Sequence, residues 1–310
     1  MYIKQVIENR DNWGYYLLGI LVIIPITWII FQIPFTIALT AAAFQNEELL
    51  AKMASNDISE IMSILEPNLN LFLMLLAYVG ILVGVFISTK LLHKNSIREL
   101  TTSREKIDWN RFFFAFILWG TIMLFINLSD ILIFSPADYE WNFKPVPFLI
   151  LLFIALLMLP LQTSAEEYFF RGYLMQGLGI ITGNRWVPLF FTSIAFGLVH
   201  YANPEVDQLG DAIFMIYIGS GFIYGITTLM DEGLELSLGM HAANNVLLAL
   251  LVTADWTALQ THSIYKMTSE PETISISETL PALIFYFVAL YIFSKKYGWT
   301  DWQGKLFGKI

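Results

Sequence analysis

The chain has 310 residues, 56% of them hydrophobic and only 14% charged, with a mean hydropathy of +0.62. Soluble domains carry about 25% charged residues, so this much apolar surface needs lipid, which excludes both a soluble globule and a disordered chain. There is no cysteine, hence no disulfide, thiol nucleophile or Cys-ligated metal, and the net charge of −9 argues against a nucleic-acid partner.

Residues 1–14 are mixed polar and charged, and no short apolar run with a cleavage site follows them, so the first apolar run reads as an uncleaved helix. Eight runs are candidate membrane spans: 15–44, 69–92, 111–134, 146–163, 186–202, 211–230, 234–253 and 279–297. The first is over-long and holds Pro25 and Pro34, which predict a tilt or kink. The segment 45–68 carries Glu47, Glu48, Asp57, Glu60 and Glu66 against Lys52 and reads as an acidic extramembrane helix. The fourth and fifth runs are short and bracket a charged stretch from Glu166 to Arg185. No repeat or linker breaks the chain. The expected fold is therefore all-α, a polytopic membrane bundle of about eight transmembrane helices forming one domain over 1–310.

Eight spans put fourteen of the seventeen basic residues on one side. They lie in the N-terminal segment (Lys4, Arg10), the loop after the second run (Lys90 to Arg111), the turn after the fourth (Arg171, Arg185) and the tail (Lys295, Lys296, Lys305, Lys309). Lys52, Lys144 and Lys266 remain on the other side. The positive-inside rule then predicts a multi-pass protein of the cell membrane with both termini cytoplasmic. Trp13, Trp109, Trp141, Trp186 and Trp299 fall near span ends, where aromatic belts sit.

Ionisable groups within apolar segments are costly, which makes each a functional candidate. Three clusters stand out. In the first, Ser164 to Arg171, Glu167 and Arg171 are four apart on a helix and can pair, while Glu166 is turned about 100° away and lacks that cation. Two adjacent carboxylates thus get different environments, one neutralised and one available as a base. An ordinary ion pair at a solvated helix end, with Ser164 a plain polar helix residue, is the alternative. The second cluster runs from Phe196 to His200, just before Asn203 and Pro204. A hydrogen-bonded histidine in the bundle interior is its plainer reading. In the third, His241 and Asn245 are four apart and share one face, so both can grip a single oxygen atom, with Asn244 a geometric substitute. Interhelical polar glue is the alternative there. Jointly the clusters supply a base, a partner for water and donors for an oxyanion, the parts of a hydrolytic site.

The three clusters, in order and separated by 34 and 41 residues, resemble the EExxxR, FxxxH and HxxxN motifs of the CPBP intramembrane proteases. That family includes the type II CAAX prenyl endopeptidases and bacteriocin-processing or self-immunity membrane proteins. The resemblance covers about 146–252, with weaker similarity over Thr102–Trp109. It implies an endopeptidase in which Glu166 activates water, His200 helps hold that water, and His241 with Asn245 stabilises the oxyanion. Glu167 and Arg171 take a supporting electrostatic role. It also implies a metal-free glutamate enzyme, although Glu166, His200 and His241 present the donor types of a two-His, one-carboxylate zinc site. No cofactor is expected. The expected partners are the lipid bilayer and a membrane-associated peptide or protein substrate, for which a bacteriocin-like leader or another membrane peptide suits a bacterial protein better than a prenylated tail. The competing functions are a non-catalytic immunity or scaffold protein, for which a broken motif would argue, and a transporter, for which repeated halves would argue. Glu166 at the basic end of the fourth run predicts a cavity open to the cytoplasm. His200, counted near the outer end of the fifth, then fits only if 172–185 re-enter the bundle as a short segment.

Overall fold

The computed structural model describes residues 2–6, 12–55 and 57–310; Arg10 lies outside them. Each of the eight apolar runs is a helix: α1 (Trp13–Ala43), α2 (Pro67–Leu91), α3 (Trp109–Phe134), α4 (Pro145–Thr182), α5 (Trp186–Ala202), α6 (Asp211–Asp231), α7 (Glu235–Leu251) and α8 (Ile276–Tyr297). The fold is an all-α polytopic membrane bundle. Six of the helices are long and apolar enough to cross a membrane. The two others, α5 and α7, fall short: the 17 residues of α7 span about 26 Å at 1.5 Å per residue. A three-stranded sheet of short strands, β1 (Tyr139–Trp141), β2 (Val252–Thr253) and β3 (Tyr265–Met267), has the order β1-β3-β2, with β1 antiparallel and β2 parallel to β3.

Local chemistry sets the helix ends. Pro67 opens α2, where its missing N–H costs nothing, and the Glu66 carboxylate accepts from the Leu69 N–H at 3.0 Å. Ser275 and Glu278 form a capping box on α8. Gly183 ends α4 at φ +65°, a conformation that suits a residue without Cβ, and the chain turns straight into α5. The predicted acidic helix of 45–68 is two short helices, Glu47–Ala54 and Ile58–Met62, capped by Asn46 and Asp57.

The fourth span is where the sequence reading needs correction. The helix continues through Glu166 and Glu167 into a π-helical turn, Tyr168–Leu174, and on to Thr182, 38 residues in all. In the sequence, charge reads as an end signal. Here the charges are buried and paired, so the helix has no reason to stop. No re-entrant segment is needed. Glu166 lies 16 residues before the end of α4 and His200 14 residues after the start of α5, about 24 and 21 Å from the turn that joins them. The hairpin itself brings the two to similar depth.

Packing is helix against helix: α1 on α2, α2 on α4, α7 against α3, α4 and α6, and α5 on α6. At the α5–α6 contact a Cβ on Gly221 would stand 2.3 Å from the Ser193 carbonyl, so the two backbones touch in the manner of small-residue membrane interfaces. Outward-facing Leu21, Ile37, Phe125, Phe153 and Phe287 are exposed and form the lipid-facing belt.

The loops sort into two opposed faces. On the first, Arg104 and Arg111 bind Asp231 at 2.7 and 2.5 Å, Arg104 binds Glu235 at 3.0 Å, and Lys305, Arg185 and the Tyr2 N–H converge on Glu232. This joins the N-terminal residues, the loop after α2, both later turns and the C-terminal helix Trp302–Phe307 into one basic face. Two residues leave the expected pattern. Arg171, counted there, is fully buried within α4, and Trp299, assigned to an aromatic belt, is buried and donates to Asp231 at 3.1 Å. On the second face His262 meets Glu66 at 2.8 Å, Gln260 donates to the Ser59 carbonyl, and the sheet ties 139–141 to 252–267. The four loops of this face, 45–66, 135–144, 203–211 and 252–275, hold thirteen carboxylates and three lysines.

Candidate active site

A cavity of about 640 Å³ lies between α2, α4, α5, α6 and α7, with part of α1 as a wall. Glu166, His200, His241 and Asn245 all line it. Glu167 and Arg171 lie directly behind, fully buried.

The i, i+4 rule holds through the π turn: Arg171 Nη1 donates to Glu167 Oε1 at 3.0 Å. Arg171 Nη2 donates to the Gly221 carbonyl at 3.0 Å, and the group lies 4.3 Å from the Phe196 ring centroid. Glu167 has a second task that spacing does not reveal. Its Oε1 also accepts from His241 Nδ1 at 2.9 Å. A carboxylate only accepts, so Nδ1 carries the proton, and the ring turns Nε2 toward Glu166 Oε2 at 3.5 Å. Tyr224 stacks on the imidazole at 4.7 Å and holds its plane. Arg171, Glu167 and His241 thus form one chain that ends beside Glu166.

A second chain reaches Glu166 from the other side. Trp119 Nε1 donates to Asn244 Oδ1 (3.3 Å), Asn244 Nδ2 to Asn245 Oδ1 (3.1 Å), Asn245 Nδ2 to Gln162 Oε1 (2.8 Å) and Gln162 Nε2 to Glu166 Oε1 (2.5 Å). Every donor points the same way, toward the carboxylate, so the bonds polarise one another. Glu166 therefore has one oxygen held by an amide. The other, Oε2, is buried and without a hydrogen-bond partner.

His200 shares the cavity but not this cluster. Its Nδ1 donates to the Phe196 carbonyl one turn back at 2.7 Å, which leaves Nε2 an acceptor when the ring is neutral. It stacks on Tyr217 at 4.6 Å, and the Phe196 ring contacts both His200 (4.9 Å) and His241 (5.7 Å). Among the described residues no group of three His, Asp or Glu side chains is placed to hold a metal ion. The remaining histidines are elsewhere: His93 is buried against the Tyr173 hydroxyl and His262 pairs with Glu66.

Gln162, Trp119 and Tyr224 were not singled out from sequence. Gln162 is four residues before Glu166, and the spacing argument that paired Glu167 with Arg171 applies to it equally. Nothing in the sequence marks the two aromatic residues.

The lining of the cavity reaches the acidic face. Ile58, Met62, Asn203, Glu205, Ala258 and Leu259 line it, all from the acidic face, and no lining residue comes from the basic-face loops. The expectation of a basic-side opening depended on Glu166 ending its helix, and α4 runs on past it to the basic face.

Residues 145–247 match the family model described as type II CAAX prenyl endopeptidase Rce1-like. The chain is 31% identical over 255 residues to YyaK of Bacillus subtilis (strain 168), an uncharacterized protein, covering 81% of this chain and 82% of that one. No solved structure matches. The matched region contains α4 to most of α7, the helices that carry Glu166, His200, His241 and Asn245, and on these grounds the protein belongs to the Rce1-like, CPBP family of membrane proteases.

Proposed function

We propose that the protein is an endopeptidase, a single membrane domain whose buried site uses Glu166 as general base and needs no metal. The observation that carries this reading is the asymmetric carboxylate: Gln162 fixes Oε1, while Oε2 faces His241 Nε2 in a cavity with no protein hydrogen bond of its own. A carboxylate so placed takes a proton from a water that attacks the scissile carbonyl carbon. His200, an acceptor at Nε2, helps hold that water. The oxyanion formed takes hydrogen bonds from Asn245 Nδ2, whose second hydrogen is not used by Gln162, and from His241 Nε2, with both ring nitrogens protonated. The C–N bond then breaks and the proton on Glu166 passes to the leaving amine. Glu167 and Arg171 act through His241, fixing the ring's orientation as the buried acid does in a serine-protease triad.

With the basic face in the cytoplasm, as the positive-inside rule directs for a protein of the cell membrane, the cavity opens on the extracytoplasmic side. A membrane-anchored or secreted peptide is then the substrate class. A cysteine placed at Lys106, exposed on the basic face of the cysteine-free chain, should react with a membrane-impermeant thiol reagent only in inverted vesicles. A cysteine at Leu259 tests the mouth, and should react in intact cells with a membrane-impermeant thiol reagent. Metal independence is tested by cleavage after exhaustive chelation, which should persist; loss of activity restored by stoichiometric zinc would establish a metal enzyme.

A further inference from the structure

We infer that the outer end of the cavity is a subsite for a cationic side chain of the substrate, with Glu205 as its anion. The inference rests on the protease reading above and deepens it. Glu205 lies on the short helix Pro204–Leu209, just beyond the end of α5, and lines the cavity. One carboxylate oxygen is fixed, since Oε1 accepts from the Ala258 N–H at 3.0 Å. The other, Oε2, is buried and has no hydrogen-bond partner. A buried carboxylate oxygen left bare is costly, and a ligand cation is what satisfies it.

The rest of the cavity agrees. Its wall includes two carboxylates, Glu166 and Glu205, and neither lysine nor arginine. Glu166 is engaged by Gln162 and stands beside His241; Glu205 has neither an amide side chain nor a histidine bonded to it. The face around the mouth, with thirteen carboxylates against three lysines in its loops, attracts a cation before it arrives. The walls between the two carboxylates are largely apolar and aromatic, including Met62, Phe169, Phe196, Val199, Leu248 and Leu259, and suit an uncharged stretch of peptide.

Glu205 lies five residues after His200, past the end of α5 toward the acidic face, so the basic side chain belongs on the part of the substrate nearest the mouth.

The test uses the full-length protein in nanodiscs and apolar fluorescent decapeptides carrying one Lys, or Gln at the same position, walked along the sequence. Binding is measured with the Glu166→Gln protein, so that cleavage does not intervene. Lys peptides should bind ~10-fold or more tighter than their Gln counterparts, an advantage that falls with added salt. Glu166→Gln/Glu205→Gln should lose the difference and Glu166→Gln/Glu205→Asp should keep most of it. Equal affinity for Lys and Gln peptides, or a preference that survives Glu205→Gln, overturns the subsite even if the wild type cleaves both. A Lys preference that needs Glu205 in a protein whose wild type cleaves none of the peptides supports the subsite and counts instead against the protease reading.

Discussion

Two clusters of buried charge lie at different depths in this protein, and they are built to opposite rules. At the basic face both Asp231 oxygens are taken, Oδ2 by Arg104 and Oδ1 by Arg111 and Trp299, and both Glu235 oxygens are taken, by Arg104 and the Asp108 N–H. In the cavity cluster Glu166 Oε2, Glu167 Oε2 and Arg171 Nε have no hydrogen-bond partner. A saturated carboxylate fastens chain segments together, even though Arg185 Nε on the same face has no hydrogen-bond partner. Of the three groups only Glu166 lines the cavity, so its bare oxygen is the valence left for something that arrives later, and the protein tolerates the cost because the Arg171–Glu167 pair and two hydrogen-bonded chains hold the groups in place. The difference separates scaffold from site without reference to conservation.

The strongest way to break the comparison is Glu166→Gln. The amide keeps the shape but cannot take a proton, so cleavage should fall by about 10²–10⁴-fold while the melting temperature stays near that of the wild type. Near-wild-type turnover by the purified variant removes Glu166 from the mechanism. Asp231→Ala should do the reverse. It strands Arg104 and Arg111 and should cost about 3–5 kcal/mol of stability, read as a lower melting temperature, with the folded fraction still active. If Asp231→Ala instead abolishes turnover without loss of stability, the division between scaffold and site fails.

Within the site, Glu167→Ala and Arg171→Ala should each destabilise the protein, and the double variant should be less damaged than the two losses added together, by a coupling of about 0.5–3 kcal/mol. Additive losses would show that the pair does not act as a unit. Gln162→Ala removes one hydrogen bond to a carboxylate, about 1.5–3 kcal/mol, so cleavage should fall roughly 10- to 100-fold with little change in melting. An unaltered rate would make the amide chain ornamental to Glu166.

The smallest effect sharpens the other side. Burial alone would raise the Glu232 carboxyl, but hydrogen bonds from Lys305 and the Tyr2 N–H, with the Arg185 charge, outweigh it and hold the group below the ordinary carboxylate range. A group depressed in the folded state contributes its stability above its unfolded value, about 4.3, and loses it as the pH falls through the folded one. Melting measured from pH 7 downward should therefore drop in the acid range, and Glu232→Gln should flatten part of that drop. An identical acid limb in wild type and variant would show that this clasp does not set acid stability.

Much of the molecule was legible before folding. Apolar runs need no partner to declare themselves, because lipid demands about twenty consecutive apolar residues, and all eight runs are helices. The basic loops do gather on one face, since loop parity follows from counting spans. The i, i+4 pairing of Glu167 with Arg171 is local geometry and survives the π turn. Where the reading failed, a charge had been judged by sequence neighbours alone. Glu166 and Arg171 look like a helix end until α5, α6 and α7 surround them.

The sequence by itself determined that this is a helical membrane protein, which polar side chains fall within its apolar runs, and in what order they come along the chain, because composition and helical spacing are properties of the chain. Only the tertiary structure decided which of those side chains meet. It joined Glu167 to His241, 74 residues apart, set Gln162 between Asn245 and Glu166, left Oε2 of both Glu166 and Glu205 bare, and brought acidic-face residues into the lining of the cavity. Each of these depends on contacts between helices, and local spacing along one helix carries no information about which neighbour its face will meet.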